Sequence, residues 1–120
     1  MLALALLCAT LSGCQQGAEI IVDQTGARTL FTTKMISSSG QACIRNLEVY
    51  EGEPDGRAPL WQIVGEPDDG CVTQVEFAKV PEGFSQADGT PANLKLKSGQ
   101  HYAVQASGRG WLAFGGFDAR

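Results

Sequence analysis

The chain has 120 residues, which is enough for one domain and too few for two. Its hydrophobic fraction of 43% suits a globular core and excludes intrinsic disorder. Nine Lys and Arg residues against thirteen Asp and Glu residues give a net charge of -4, which argues against binding to nucleic acid. One histidine and four cysteines leave little material for a catalytic set, so we expect no enzyme, no metal and no cofactor.

The N-terminus has the pattern of a secretory signal peptide. Its first thirteen residues carry no charged side chain, and the apolar run from Leu2 to Leu11 is about ten residues long. A membrane-spanning helix needs about 20 such residues. The run leads into Leu11-Ser12-Gly13-Cys14, which resembles the lipobox of bacterial lipoproteins, although the basic residues that usually open such a signal are missing.

The lipobox resemblance implies a lipid anchor. By that resemblance residues 1–13 are a signal peptide that is removed, Cys14 carries the lipid, residues 14–17 form a short tether, and residues 18–120 form a single domain. Several acyl chains exceed the two signals that stable membrane anchoring requires. Gln15 stands where an Asp favours the inner membrane in enterobacteria, so the resemblance implies the outer membrane, facing the periplasm. A plain secretory signal with an incidental cysteine is the alternative.

Two cysteines, Cys43 and Cys71, remain once Cys8 leaves with the signal and Cys14 is lipidated. An even pair in an oxidising compartment predicts a disulfide. Because each cysteine is in phase with apolar residues that follow it, we expect both sulfur atoms to point into the core. The bridge would close a loop of about 29 residues and contribute about 3–4 kcal/mol. Two free buried thiols are the alternative.

The remainder of the chain reads as short strands. Apolar and polar residues alternate in several runs, none of which keeps helical spacing over three turns, and turns rich in Gly, Pro and Asp separate them. This pattern predicts an all-β domain of about seven to eight strands, either a small antiparallel sandwich or a barrel. The runs are Ile20 to Asp23, Arg28 to Thr33, Cys43 to Tyr50, Leu60 to Val64, Cys71 to Lys79, Leu94 to Leu96, Tyr102 to Ala106 and Trp111 to Phe117.

Two acidic turns repeat along the chain, Gly52-Glu53-Pro54-Asp55 and Gly65-Glu66-Pro67-Asp68. Pro followed by Asp is common in turns, and the strand between the two copies separates them by about 17 Å. A turn role is therefore the main interpretation, with Ca2+ binding as the alternative.

The candidate chemistry is sparse. His101 is the only residue that could serve as the base of a serine hydrolase, and the alternation places it on the outward face of a strand with no Gly-x-Ser-x-Gly turn in the chain. The aromatic residues are expected to build mainly the core, with a stacking surface for sugar or peptide as the alternative. Tyr50 is out of phase with its apolar neighbours, and one of Trp111 and Phe114 must face outward. The candidate contact residues are Tyr50, Ser98, Tyr102 and Trp111.

The second half of the chain carries an ordered set of motifs, Trp61-Gln62-Ile63, Val80 to Phe84, and Leu96 to Val104. Their order resembles that of small lipoproteins of Gram-negative bacteria that have no settled biochemical role. The spacing Leu-x-x-Gly-x-x-Tyr-x-Val within the third motif also recurs in immunoglobulin-like and fibronectin-like sandwiches. That resemblance implies that Gly99 turns the chain and that the Tyr and Val face the core.

Another resemblance concerns residues 98–102, Ser-Gly-Gln-His-Tyr, which are similar to an element of periplasmic lipoproteins that inhibit C-type lysozyme. By that resemblance Ser98 would enter the lysozyme active site. The later Lys of those inhibitors has no counterpart, because only Arg109 and Arg120 are basic after Tyr102.

Taken together, these patterns predict a non-enzymatic, lipid-anchored β-domain of the periplasm that acts by contact with an envelope protein. Inhibition of lysozyme or another cell-wall hydrolase is the alternative function, and an enzyme that uses His101 is a third.

Overall fold

The computed structural model describes residues 16–65, 70–91 and 93–120. Within these ranges the chain forms strands and no helix, as the alternation predicts, and therefore contains no helix that could cross a membrane. The eight strands are β1 (Gln16–Asp23), β2 (Leu30–Met35), β3 (Asn46–Glu51), β4 (Trp61–Gly65), β5 (Gln74–Glu76), β6 (Phe84–Gln86), β7 (His101–Gly108) and β8 (Trp111–Asp118).

The strands form one curled sheet in the order β5-β2-β1-β8-β7-β3-β4-β6. Every neighbouring pair is antiparallel except β1 and β8, which run parallel, so the sheet is mixed. The two halves curl toward each other, and the rings of Phe31 in β2 and Phe117 in β8 lie 5.7 Å apart between centroids.

The core lies inside the curl and is lined by alternate residues of each strand. Leu47, Val49 and Ile63 are 0% exposed, as the period of two predicts for a strand with one buried face. The largest fully buried side chains are Trp61, Tyr102, Phe31, Leu47, Ile63, Val49, Val75 and Val104.

A tyrosine corner precedes β7. Gly99 has a φ of +82°, which lets the chain turn, and Gln100 N donates a hydrogen bond to Lys97 O. The hydroxyl of Tyr102, which is 1% exposed, accepts a hydrogen bond of 2.8 Å from Lys97 N, the arrangement known from immunoglobulin-like domains. The prediction that Tyr102 is a contact residue is therefore wrong, because its ring belongs to the core.

Two of the strand predictions differ from the structure. The run at Leu94 and Leu96 forms no strand, because the corner uses the Lys97 amide that a ladder would need, although both leucines pack against the core. Strand β6 was not predicted, since only Phe84 among its three residues is even partly buried.

The disulfide Cys43–Cys71 is confirmed, with a Cα–Cα distance of 4.9 Å. Its predicted place in the core is wrong, because Cys71 is exposed and Cys43 only half-buried. Both cysteines precede their strands and so fall outside the alternation, and Ala42 and Ile44 fill the core positions instead.

The predicted signal peptide (residues 1–13), the lipidated Cys14 and Gln15 lie outside the described residues. So do residues 66–69, which hold most of the second acidic turn. Gln16 and Gly17, which we assigned to the tether, pair with Trp111 and Leu112 of β8.

Candidate binding face

One broad face of the sheet remains open to solvent. It is formed by the outward side chains of β8, β7, β3 and β4, and we call it the four-strand face. The registers place its residues in rows across the strands. The rows are His101 beside Asp118; Gly116, Ala103 and Tyr50; Phe114, Gln105, Glu48 and Gln62; and Leu112, Ser107, Asn46 and Val64.

A hydrogen-bonded network occupies the centre of this face. Gln62 Nε2 donates to Asn46 Oδ1 at 2.9 Å, and Asn46 Nδ2 donates to Glu48 Oε1 at 2.7 Å. The Tyr50 hydroxyl donates to the other carboxylate oxygen, Glu48 Oε2. Because each side chain is held by its neighbour, the network is already ordered before any ligand arrives.

Tyr50 lies on the outward side of β3 but is only 8% exposed, so the prediction that it is an exposed contact residue is wrong. Its neighbours in register are Ala103 and, beyond it, Gly116, and these small residues leave room for the ring to lie against the sheet. Burial and the hydrogen bond to Glu48 raise the pKa of Tyr50 to about 12.

Phe114 is the aromatic residue that the face presents to solvent. Its side chain is 63% exposed, whereas Trp111 on the opposite side of β8 is 5% exposed. The expectation that one of the two faces outward is confirmed, and the choice of Trp111 as a contact residue is wrong. Leu112 and Val64 add exposed apolar surface in the next row. An exposed ring on an ordered surface is the kind of feature that anchors a protein partner.

His101 lies at one end of the face between two carboxylates. Its Nδ1 is 2.9 Å from Asp118 Oδ1, and its Nε2 is 3.3 Å from Glu53 Oε1. Glu53 comes from the β3–β4 connection, which Gly52 N ties to His101 O. All three side chains are substantially exposed, and His101 faces outward as the alternation predicts.

Ser98 lies exposed in the turn before β7, one residue after Lys97, which pairs with Glu51 at 3.3 Å. In the described part of the chain, no three His, Cys, Asp or Glu side chains are grouped so that they could hold a metal ion.

The sequence analysis did not predict the network. Its residues lie in β3 and β4, neither of which is adjacent to β8. A signal was present, since Asn46, Glu48, Gln62 and Gln105 all occupy outward positions of predicted strands. Reading it required the register, because only the pairing of β3 with β4 and β7 brings these residues into neighbouring rows.

Comparison with known proteins adds no further information, because no family model, no curated protein and no solved structure matches the chain. The motif resemblances to small lipoproteins and to lysozyme inhibitors therefore stay predictions.

Proposed function

We propose that this protein is a non-enzymatic, lipid-anchored lipoprotein of the outer membrane that binds an envelope protein in the periplasm through its four-strand face. The observation that carries the proposal is the exposed ring of Phe114 beside the ordered Tyr50–Glu48–Asn46–Gln62 network. The lipobox at Cys14 supplies the anchor.

The shape and order of the face favour a protein partner. Small molecules usually bind in concave pockets that bury most of their surface, whereas four adjacent strands present a broad surface. Protein interfaces centre on aromatic anchors surrounded by polar groups, which is the composition of this face. The network also lowers the entropic cost of binding, since its side chains are held before contact.

The anchor orients the face relative to the membrane. Gln16 begins β1 and pairs with Trp111, the first residue of β8, and the two residues from Cys14 to Gln16 span at most about 7 Å. The row of Leu112 and Val64 would then lie near the lipid surface. The His101–Asp118 end would lie about 20 Å farther along β8. A partner that contacts the whole face would therefore itself be close to the membrane.

Site-specific photocrosslinking in intact cells tests the proposal. A photoreactive phenylalanine analogue replaces Phe114, and the control replaces Ile36, which is equally exposed at 65% and lies beyond the end of β2. We expect one dominant protein adduct from position 114, lost with Cys14→Ala, and none from position 36. Equal background adducts from both positions would overturn the assignment of this face.

The lipid anchor has a separate test. Mass spectrometry of the mature protein should find acyl mass on residue 14. An unmodified Cys14 in a protein that partitions into the aqueous phase would disprove the anchored part of the proposal and leave the face to be judged by the crosslinks.

Inhibition of lysozyme is a second candidate function, favoured by the exposure of Ser98 in its turn. The purified protein at micromolar concentration should then slow the lysis of peptidoglycan by lysozyme. Ser98→Ala should weaken that effect, and Ser39→Ala, in the exposed loop that follows β2, should not. Unchanged lysis rates would end this candidate.

A further inference from the structure

Glu48 is a half-buried carboxylate whose partners are neutral. Its two oxygens accept hydrogen bonds from Asn46 Nδ2 and the Tyr50 hydroxyl, neither of which carries a positive charge. The ion pairs of the described residues involve Glu51, Glu53, Glu76 and Asp118, and none involves Glu48. The centre of the face therefore holds a negative charge that no ion pair between the described residues neutralises.

The surroundings of Glu48 increase this charge asymmetry. The outward positions of β8, β7, β3 and β4 in the described structure include Asp118 as a second carboxylate and no Lys or Arg. Glu53 adds another carboxylate beside His101 at the end of the face. A binding partner complementary in charge would be basic.

The exposed ring of Phe114 favours a guanidinium as the basic group of the partner. Phe114 and Glu48 occupy the same row, separated only by Gln105 on β7. Adjacent strands lie about 4.8 Å apart, so roughly 10 Å separates the two positions along the sheet. A guanidinium group lying over Gln105 can stack on the exposed ring and reach the carboxylate at once.

The carboxylate retains the capacity that such a contact needs. A carboxylate has about four lone-pair sites, and the hydrogen bonds from Asn46 and Tyr50 use two of them. The sites that remain can accept N–H groups of a guanidinium. The side chain also loses little further freedom on binding, because its neighbours already hold it, which removes a cost that weakens ordinary surface ion pairs.

We propose that Glu48 and Phe114 form an arginine-binding site, and that the envelope protein bound by the four-strand face presents an arginine there. This inference depends on the proposed function for the source of the arginine. The site itself is defined by the charge of Glu48, its fixed position and the exposed ring in the same row.

Titration of the mature lipidated protein in nonionic detergent, followed by amide NMR, tests the site directly. The probe is a capped tripeptide with arginine between two glycines, and its control carries citrulline, which has nearly the same shape and no charge. We expect millimolar binding of the arginine peptide with shifts at Glu48, Gln105 and Phe114, and at least tenfold weaker binding of the citrulline peptide.

Two variants with matched controls complete the test. Glu48→Gln keeps a side chain that can bond to Asn46 and Tyr50, and should weaken arginine binding at least tenfold, whereas Glu19→Gln on β1 removes an exposed carboxylate elsewhere and should change nothing. Phe114→Ala should weaken binding several-fold and Ile36→Ala should not. Equal affinity for the two peptides, or an unchanged affinity of a Glu48→Gln protein with a native-like spectrum, would overturn the proposal.

The same variants separate this inference from the proposed function. A crosslink from position 114 that Glu48→Gln leaves unchanged would refute the arginine site while the protein-binding role stands. Specific binding of the arginine peptide without any crosslinked partner in cells would refute the envelope-protein role while the site stands.

Discussion

The two tyrosines of this protein show how differently the two faces of the same strands are used. Tyr102 faces inward from β7, is 1% exposed, and accepts a backbone hydrogen bond that closes the corner before its strand. Tyr50 faces outward from β3, and its hydroxyl donates to a carboxylate on the surface. The inner face is apolar and maintains the fold, and the outer face combines an ordered polar network with a few exposed apolar side chains.

The two faces differ in how they exchange contacts with water for contacts within the protein. Burying apolar side chains removes them from water, so the inner face stabilises the domain in proportion to the area covered. The outer network exchanges hydrogen bonds with water for hydrogen bonds within the protein, which contributes little net stability. The ordered network on the outer face therefore contributes less to folding than the inner face, which is consistent with the recognition role that we propose for it.

Truncating one apolar residue on each face should give the largest contrast. Leu47→Ala on the inner side of β3 should lower the free energy of unfolding by about 2–5 kcal/mol, because it leaves a cavity at a site that is 0% exposed. Phe114→Ala should change it by about 0.5 kcal/mol or less. Urea denaturation measures both, and equal losses would show that Phe114 is part of the folded core.

Removing the disulfide tests the contribution of a crosslink that lies outside the core. The double variant Cys43→Ala with Cys71→Ala should lose about 2–4 kcal/mol, because the bridge mainly restricts the unfolded chain. The sheet should remain intact, since no core side chain changes. Thermal unfolding with far-ultraviolet circular dichroism checks this, and loss of the native spectrum at low temperature would mean that the bridge also holds the loops before β3 and β5 in place.

Removing each tyrosine hydroxyl should also lower the free energy of unfolding more on the inner face than on the outer face, by a smaller difference. Tyr102→Phe should cost about 1–3 kcal/mol, because the Lys97 amide loses its partner inside a half-buried corner. Tyr50→Phe at neutral pH should cost less, since water can replace the hydroxyl at Glu48. Equilibrium unfolding of both variants measures the difference, and a larger cost for Tyr50→Phe would contradict the division of roles between the faces.

Deprotonation of Tyr50 at alkaline pH should give the smallest of these effects on the free energy of unfolding. The folded pKa of Tyr50 is raised to about 12 from an ordinary value of 10.0, so its stabilising contribution is complete below pH 10 and is lost as the pH rises toward 12. Between pH 9 and pH 11 this amounts to roughly 1 kcal/mol. Urea midpoints at both pH values should show that extra loss in the native protein relative to Tyr50→Phe, and parallel losses would refute the raised pKa.

Much of the fold could be predicted from local patterns. Local patterns located seven of the strands: Ile20 to Asp23 as a short apolar run, Arg28 to Thr33 by its Thr and Phe residues, and the others by alternation or by a shared apolar face. Leu47 and Val49 are buried as the period of two requires. The resemblance of Leu96 to Val104 to a motif of immunoglobulin-like sandwiches implied a turn at Gly99 and an inward Tyr102, and the positive φ of Gly99 and the burial of Tyr102 agree with it. The even number of cysteines outside the N-terminal segment was enough to pair Cys43 with Cys71.

The candidate site could be predicted only in part. Phe114 was one of two alternatives on β8, and only the curl of the sheet over Trp111 decided between them. Tyr50 followed the expected phase but not the expected exposure, because its burial depends on the small residues of β7 and β8 beside it. These residues are about 50 or more positions away in the chain, and no local pattern reports them.

By itself, the sequence determined the all-β fold class and the inward and outward sides of most strands, because these depend on residues within a few positions of one another. It also determined the disulfide pair, because only two cysteines lie outside the N-terminal segment. Only the tertiary structure decided which outward residues meet. Glu48, Gln105 and Phe114 come from three strands, and they form one row only because β3, β7 and β8 pair in a particular register. A surface of this kind depends on contacts between distant residues, which the hydrogen-bond registers of the folded sheet fix.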